Sequence, residues 1–255
     1  MQRLDELRRR YLAAMGIDLW LPRGAADAGR TSAEGAHLPA TADPEADEAR
    51  VAAPAGDAAV AAPDRDVGGL DWDALEARVL GCTLCELHET RTQAVFGFGD
   101  RGARWLVVGE APGADEDRQG EPFVGRAGQL LNAMLKAVGL ARGQVYIANI
   151  LKCRPPNNRD PRPEEVVCCE PYLMRQIALI RPALILAVGR IAAQNLLKTT
   201  TPIGRLRGRV HSLPGADVPV VVTYHPAYLL RSPLEKRKAW ADLQLAVKTA
   251  APAAD

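Results

Sequence analysis

The chain has 255 residues, of which 47% are hydrophobic, and its charged side chains leave a net charge of only +1. This length and composition allow one or two domains with a buried core and give no sign of a strongly basic or acidic protein. It contains no run of about 18 apolar residues, and the charged start Met1-Gln2-Arg3-Leu4-Asp5-Glu6 does not read as a signal peptide, so we expect a cytoplasmic protein without a membrane span.

The first predicted element is a short amphipathic helix within residues 1–23, with Leu4, Leu7 and Leu12 at helical spacing. Such a helix either binds a partner or docks on its own domain. Residues 12–20, which end at Trp20, resemble the amino-terminal peptide by which the psi subunit of bacterial DNA polymerase III attaches to the clamp loader. That resemblance implies a clamp-loader or other replication protein as the partner.

Residues 24–69 are rich in Ala, Pro, Gly and Asp and contain no aromatic residue, which predicts a disordered linker because little surface can be buried. We expect the folded domain to span 70–250. Residues 1–70 hold 8 Lys/Arg and 12 Asp/Glu, which leaves 24 against 19, a net +5, for the remainder. This mild excess permits contact with a phosphate backbone but does not by itself indicate one.

The central stretch of the domain is a strand, a glycine-rich turn and a helix. The apolar run 105–108 is short enough for a buried strand, and Gly109-Glu110-Ala111-Pro112-Gly113 follows it at once. Leu130, Leu131 and Met134 then repeat at helical spacing. Because ligands of parallel sheets bind beyond the carboxyl ends of the strands, this turn is expected at the mouth of a site.

Three further apolar runs, 145–149, 183–189 and 219–224, predict strands, and Asn149 and His225 come at the ends of the first and the last. A short helix with Leu75, Val79 and Leu80 is predicted after Asp71, a second helix carries Leu130 to Val138, and others are predicted at about 164–180, 191–197 and 234–248. Alternating strands and helices predict a three-layer α/β/α sandwich with a four-stranded parallel sheet.

The five cysteines stand in a chain expected to be cytosolic, so a metal or cluster outranks disulfides. Cys82 and Cys85 form a C-x2-C pair, and Cys153 and Cys169 flank a proline-rich loop. Four thiolates can hold zinc or an iron–sulfur cluster, and spacing alone does not decide between them. Cys168 is left over and is expected to be a small buried residue, with exchange for Cys169 as the alternative.

Four motifs together carry a resemblance: GEAPGADED at 109–117, EPFVGRAGQLLNAML at 121–135, Asn149 before the third cysteine, and HPAYLLR at 225–231. They resemble family 4 uracil-DNA glycosylases over about residues 72–247. The resemblance implies a uracil-DNA glycosylase fold and an enzyme that removes uracil from DNA. It also implies a [4Fe-4S] cluster, whose ligands by spacing are Cys82, Cys85, Cys153 and Cys169.

The resemblance further implies roles for single residues. Phe123 would stack on a flipped uracil, Asn149 would read its polar edge, and His225 would donate to O2 as charge develops there. Glu116 would exclude the C5 methyl group of thymine. Backbone N–H groups around Glu110 and Ala111 would complete the recess, and Gly109 and Ala111 are among the expected substrate-binding residues. Family 1 enzymes have an Asp where this chain has Ala111, so Glu110 is the nearest carboxylate for activating water or orienting the base.

The segment 228–231 is expected to face DNA, with Leu229 and Leu230 as a minor-groove wedge and Arg231 on a phosphate. Lys152, Arg126 and Arg159 are further phosphate candidates, or else solvated surface charges. Two alternatives to the enzyme are a non-catalytic, glycosylase-like subunit of the clamp-loader assembly and a zinc-bound nucleic-acid module.

Overall fold

The computed structural model describes residues 66–251. The predicted partner-binding segment 1–23 and residues 24–65 of the predicted linker lie outside this range. Val67 is buried and packs with Leu70, Leu75 and Val79 in a small apolar cluster, so the packed domain includes residues ahead of the expected start at Leu70.

A six-stranded sheet in the order β1-β3-β2-β4-β6-β5 forms the centre of the domain. Its four inner strands are parallel, and each edge strand pairs antiparallel with its neighbour. The predicted α/β class is therefore confirmed, with two strands more than the four expected. The strands are β1 (Phe98–Gly99), β2 (Trp105–Gly109), β3 (Tyr146–Asn149), β4 (Leu184–Val188), β5 (Val210–Ser212) and β6 (Pro219–Thr223).

The inner strands are apolar because both of their faces are covered. Every residue of β2, β3 and β4 is buried. The edge strands differ: β1 has two residues, and β5 has three that are exposed or half-buried. Strands this short carry no alternating pattern, which is why the sequence did not reveal them.

Nine α-helices are assigned within residues 66–251, and those predicted at 164–180, 191–197 and 234–248 begin and end within two residues of the predicted bounds. None of these helices is long and apolar enough to cross a membrane. The helices are α1 (Trp72–Leu80), α2 (Leu87–Thr90), α3 (Ala114–Gln119), α4 (Arg126–Ala137), α5 (Pro163–Ile180), α6 (Arg190–Leu196), α7 (Ile203–Leu206), α8 (Pro226–Arg231) and α9 (Lys236–Ala250). Single 3-10 turns occur at Arg142–Gln144, Pro156–Asn158 and Pro233–Glu235.

The helices form two layers, one on each face of the sheet. Leu131 of α4 and Leu243 of α9 belong to one core cluster. Ile177 of α5 and Leu196 of α6 belong to the cluster on the other face. From β2 the chain passes first to β3 on one side and then to β4 on the other, so the strand order reverses at β2. Ligands bind at such a reversal, beyond the carboxyl ends of the strands.

Candidate active site

A cavity of about 810 Å³ opens at the carboxyl ends of the four parallel strands. The register brings these ends to one level, since Gly109 pairs with Asn149 and Val188 with Thr223. Most of the site residues expected from the sequence line this cavity. They are Glu110, Ala111, Glu116, Phe123, Asn149, His225, Arg159 and Arg231.

Gly109 forms the base of the site, beneath the side chains of Phe123 and Asn149. A Cβ at this position would collide with Asn149 Oδ1 and lie 2.6 Å from Phe123 Cζ. Only glycine leaves room for both side chains here. The Phe123 ring also lies beside the His225 imidazole, with ring centroids 5.7 Å apart and planes inclined by 33°. The fold therefore brings the three predicted base-binding residues into one place.

Asn149 presents an unsatisfied acceptor to this cavity. Asn149 is 2% exposed, and none of the described residues donates a hydrogen bond to its Oδ1. The backbone carbonyl of Asn149 is held by Lys152 Nζ at 3.1 Å. A buried acceptor without a partner costs about 1–3 kcal/mol, so this oxygen is available to a hydrogen-bond donor of a bound molecule.

His225 caps the amino terminus of α8, and this contact decides which ring nitrogen of the neutral imidazole carries the proton. Its Nδ1 accepts a hydrogen bond from the Ala227 backbone N–H at 3.1 Å. Burial, and then the positive charge of Arg231, lower the pKa of the imidazole to about 4, against an opposing effect of Glu116. The ring is therefore neutral near pH 7, and since Nδ1 accepts, Nε2 carries the proton and acts as a donor.

Glu110 stands at the end of β2 and has an unusual carboxyl group. Burial, and then the negative charge of Asp160, raise its pKa from 4.5 to about 7, although Arg190 opposes the shift. Asp160 and Arg190 also line the cavity and form an ion pair of 2.6 Å. A carboxyl group that titrates near the working pH can accept a proton in a reaction, so Glu110 has the property required of a general base.

Glu116 is engaged by the backbone of the loops around it. One carboxylate oxygen accepts from Gly113 N–H at 3.1 Å, and the other accepts from Val124 N–H at 2.9 Å and Gly125 N–H at 3.1 Å. These bonds connect the turn after β2 to the loop that carries Phe123. Exclusion of thymine by Glu116 stays a prediction.

The structure corrects two of the residues expected to contact DNA. Leu229 is 1% exposed and packs in the core, so it cannot act as a wedge, whereas Leu230 is 38% exposed. Lys152 is 1% exposed beneath the site, where Gln176 Oε1 accepts from its Nζ at 2.7 Å, so it cannot reach a phosphate. Both predictions were wrong because a short stretch of sequence does not show whether its side chains are buried in the fold.

Two of the three remaining phosphate candidates, Arg126 and Arg159, have different surroundings. Arg126 is exposed at the start of α4. Arg159 lines the cavity and makes a bidentate ion pair with Glu165, at 2.9 and 2.5 Å.

The thiols of Cys82, Cys85, Cys153 and Cys169 are electrostatic neighbours. Burial raises the pKa of Cys85 to about 11, against a backbone hydrogen bond from Leu87, and the charges of Cys153, Cys168 and Cys82 add to the rise. Burial and then the charges of Cys153 and Cys85 raise that of Cys169 to about 12, although a backbone hydrogen bond from Lys152 opposes this. Within residues 66–251 no three His, Cys, Asp or Glu side chains stand in a metal-binding arrangement.

The surroundings of the cysteines nevertheless suit thiolate ligands. Arg91 Nη1 lies 2.8 Å from Cys153 Sγ, so a cation already faces one sulfur. Cys168 instead directs its Sγ to the carbonyl of Leu84 at 3.3 Å. Four soft sulfur donors on three segments, one with Cys82 and Cys85 and one each with Cys153 and Cys169, fit an iron–sulfur cluster or zinc.

Several residues of the cavity were not identified from the sequence. Asp160 and Arg190 come from separate segments and meet only in the fold, and no motif links them. Tyr224 also lines the cavity, beside Tyr228 of the segment expected to face DNA, with ring centroids 5.0 Å apart and planes inclined by 48°. The tyrosines lie within or beside the HPAYLLR motif, so an aromatic pair flanking His225 was a signal that could have been used.

Comparison with known proteins agrees with this geometry. Residues 96–244 match the model of the uracil DNA glycosylase superfamily. The chain is 50% identical over 167 residues to a type-4 uracil-DNA glycosylase of Archaeoglobus fulgidus, covering 63% of this chain and 84% of the relative. It is 42% identical over 182 residues to a type-4 uracil-DNA glycosylase of Pyrobaculum aerophilum, covering 69% and 93%. A type-4 enzyme of Thermotoga maritima is 44% identical over 161 residues, covering 63% and 83%.

The family match spans β1 to α9 and includes every residue described above as lining the cavity. It also covers more than half of the chain. This chain therefore belongs to the uracil DNA glycosylase superfamily.

Proposed function

We propose that this protein is a monofunctional uracil-DNA glycosylase, which hydrolyses the N-glycosidic bond of deoxyuridine in DNA and leaves an abasic site for base excision repair. The observation that carries the proposal is the buried Oδ1 of Asn149, which has no hydrogen-bond partner among the described residues and lies over Gly109 with the Phe123 ring, itself beside the His225 imidazole. A planar base with a polar edge is a ligand that satisfies all three side chains. The identity to type-4 uracil-DNA glycosylases supports the same enzyme.

The reaction requires the base to leave the helical stack, because the cavity lies within the protein. Flipping costs a few kcal/mol and is easiest for a mispaired or single-stranded uracil. Stacking on Phe123 offsets part of that cost. Asn149 offers both a donor and an acceptor, so its amide can pair with the uracil edge and reject cytosine, whose exocyclic amine reverses the pattern.

Bond cleavage leaves positive charge on the sugar and negative charge on the departing uracil. The Nε2–H of His225 is proposed to donate to uracil O2 as this charge develops, and the hydrogen bond from Ala227 N–H to Nδ1 supports Nε2 as the donor. A donor of this type contributes about 3–4 kcal/mol to the transition state. Glu110 is proposed to activate the water that attacks C1′, or to orient the base.

A uracil-release assay tests the proposal. Single-stranded and duplex oligonucleotides with one uracil are incubated with the protein and then cleaved by alkali at abasic sites. We expect cleavage of the uracil strand but not of a matched thymine strand. Asn149→Ala should lower the rate tenfold to a hundredfold, since a hydrogen bond to the base edge is worth ~1–3 kcal/mol.

The matched control is Asn195→Ala, because Asn195 donates to the carbonyl of Ile191 within α6, at 2.8 Å, and does not line the cavity. It should retain the wild-type rate. A wild-type protein that releases no uracil, or that releases thymine equally well, would contradict the proposal.

We further propose that Cys82, Cys85, Cys153 and Cys169 hold a [4Fe-4S] cluster. Their mutual proximity and the sulfur donor set support this, and family resemblance favours iron over zinc. When bound, the cluster supplies a covalent cross-link between the segment after α1 and the segments on either side of the 154–162 loop; hydrolysis itself needs no electron transfer. A brown protein that absorbs near about 400 nm is expected, whereas colourless protein with stoichiometric zinc would contradict iron.

For residues 1–23 we propose binding to a clamp-loader protein, supported by the psi-like sequence that ends at Trp20. A peptide of residues 1–23 should capture clamp-loader proteins, and Trp20→Ala should abolish capture. A non-catalytic, glycosylase-like subunit is the alternative reading of the whole chain, and it predicts capture without any uracil release.

A further inference from the structure

Phe123 has a backbone conformation that an aromatic residue rarely adopts. Its φ is +56°, in the left-handed region that favours glycine. The residue therefore holds this conformation only because its surroundings impose it, and such strain in a binding site is a reason to look for what imposes it.

In the loop that carries Phe123, two backbone carbonyl groups accept hydrogen bonds from the guanidinium group of Arg142. Arg142 Nη2 donates to the carbonyl of Pro122 at 2.5 Å, and Nη1 donates to that of Phe123 at 3.1 Å. The guanidinium also lies over the Phe98 ring, with Cζ 4.7 Å from its centroid. A fork of rigid donors that reaches two successive carbonyls fixes the two peptide planes on either side of the Phe123 Cα.

Two further contacts hold the rest of this loop, one to Glu116 and one to α4. The next two backbone N–H groups, of Val124 and Gly125, donate to Glu116. Behind the loop stands Gly128 of α4, where a Cβ would collide with the Phe123 carbonyl and lie 2.9 Å from its Cα. The backbone of residues 122–125 is therefore held by Arg142 on one side and by Glu116 on the other. It packs against α4 at Gly128, which has no side chain.

Arg142 does not line the cavity, so it cannot touch a base bound there. What it holds is the backbone that directs the Phe123 ring over Gly109 and beside His225. We infer that Arg142 is a positioning residue for base recognition, which acts only through the Phe123 ring. This inference rests on the proposed glycosylase function and adds a residue to it.

A double-mutant cycle separates this role from a general contribution to folding. Single-turnover uracil release is measured for wild type, Arg142→Gln, Phe123→Ala and the double variant. We expect Arg142→Gln to lower the rate about tenfold in wild type but less than about twofold in Phe123→Ala, because the ring through which Arg142 acts is then gone. Affinity for uracil-free DNA should stay within about twofold of wild type, since Arg142 makes no contact in the cavity.

The matched control is Arg104→Gln. Arg104 Nη2 also donates to a backbone carbonyl, that of Ala250 at 2.7 Å, but Arg104 lies away from the cavity. The rate of uracil release by Arg104→Gln should therefore equal that of wild type. If Arg142→Gln does not fold, the same cycle is run with Arg142→Lys, which keeps the charge and can reach only one carbonyl. Equal losses with and without the Phe123 ring would show a merely structural role and overturn the inference.

A crystal structure of Arg142→Gln tests the clamp without any reaction. We expect φ of Phe123 to leave the left-handed region and the ring to move off Gly109. An unchanged φ and ring would overturn the inference even if the enzyme is active. Conversely, a wild type that releases no uracil contradicts the proposed function, while the crystal structure still decides whether Arg142 holds the loop.

Discussion

At the scale of single residues, the contact between His225 Nδ1 and the Ala227 N–H connects helix capping to chemistry. The same hydrogen bond that begins α8 leaves Nε2 as the donor. Because the pKa of His225 is about 4, protonation does not remove this arrangement at physiological pH.

His225→Ala should therefore lower the single-turnover rate of uracil release by about a hundredfold to a thousandfold, the usual loss of one donor to a developing anion. Quenched-flow measurement of abasic sites gives this rate. His211→Ala is the control, because His211 bonds to the Leu206 carbonyl at 2.7 Å on the edge strand, away from the cavity. A loss below about threefold for His225→Ala would contradict its role as donor.

The carboxyl of Glu110 predicts a pH dependence. With a pKa raised to about 7, the group is protonated below that pH and ionised above it. If the ionised form is the base, kcat/KM should fall about tenfold per pH unit below pH 7 and level off above it. Titration of His225 adds no further change in kcat/KM in this range, since its imidazole is already neutral.

Glu110→Gln should both lower the rate and remove this acid limb, as measured by kcat/KM between pH 5 and 9 on one oligonucleotide. The range is chosen to bracket the value of about 7. An unchanged rate in Glu110→Gln would remove Glu110 from the mechanism, and a lower rate with the limb retained would assign the titration to another group.

At the scale of elements, the end of β2 is where backbone geometry determines the site. Gly109 lies under Phe123 and Asn149, so Gly109→Ala should push both side chains aside. We expect a loss of uracil release of at least about a hundredfold, with the rate measured on single-stranded substrate. Gly204→Ala in α7 is the control, because a Cβ there meets nothing within 4 Å. Wild-type activity in Gly109→Ala would show that the two side chains need not share this space.

The elements also show how far sequence reasoning reaches. The buried strands and long helices were predictable, because continuous apolar runs and 3.6-residue periodicity reflect burial directly. The edge strands β1 and β5 were missed, since two or three exposed residues leave no pattern.

Site residues follow the same rule. Phe123, Asn149 and His225 lie in motifs, were expected at the site, and do line the cavity, whereas their roles stay predictions. Arg142 was missed because its partners, the carbonyls of Pro122 and Phe123, are backbone groups that no sequence pattern records. Leu229 was misread because burial of a motif residue depends on distant helices.

At the scale of the whole molecule, the cysteine segments connect the start of the domain to the loop beside the cavity. Cys82 and Cys85 follow α1, and Cys153 and Cys169 flank the loop that supplies Arg159 and Asp160 to the site. A cluster on these four residues would stabilise both regions together.

Cys153→Ser should therefore lose the absorption near about 400 nm and lower the melting temperature of the domain, because the cross-link no longer forms. Cys168→Ser is the matched control, since its sulfur faces the Leu84 carbonyl. It should keep both the colour and the melting temperature. Loss of colour in Cys168→Ser with retention in Cys153→Ser would contradict the proposed ligand set.

The central claim is that the ends of separate parallel strands surround one pyrimidine, and a crystal structure of the wild-type protein with free uracil tests it most directly. We predict a uracil ring stacked on Phe123, with its polar edge on the amide of Asn149 and O2 within hydrogen-bond distance of His225 Nε2. Uracil bound elsewhere, or in the cavity without contact to these three side chains, would contradict the account.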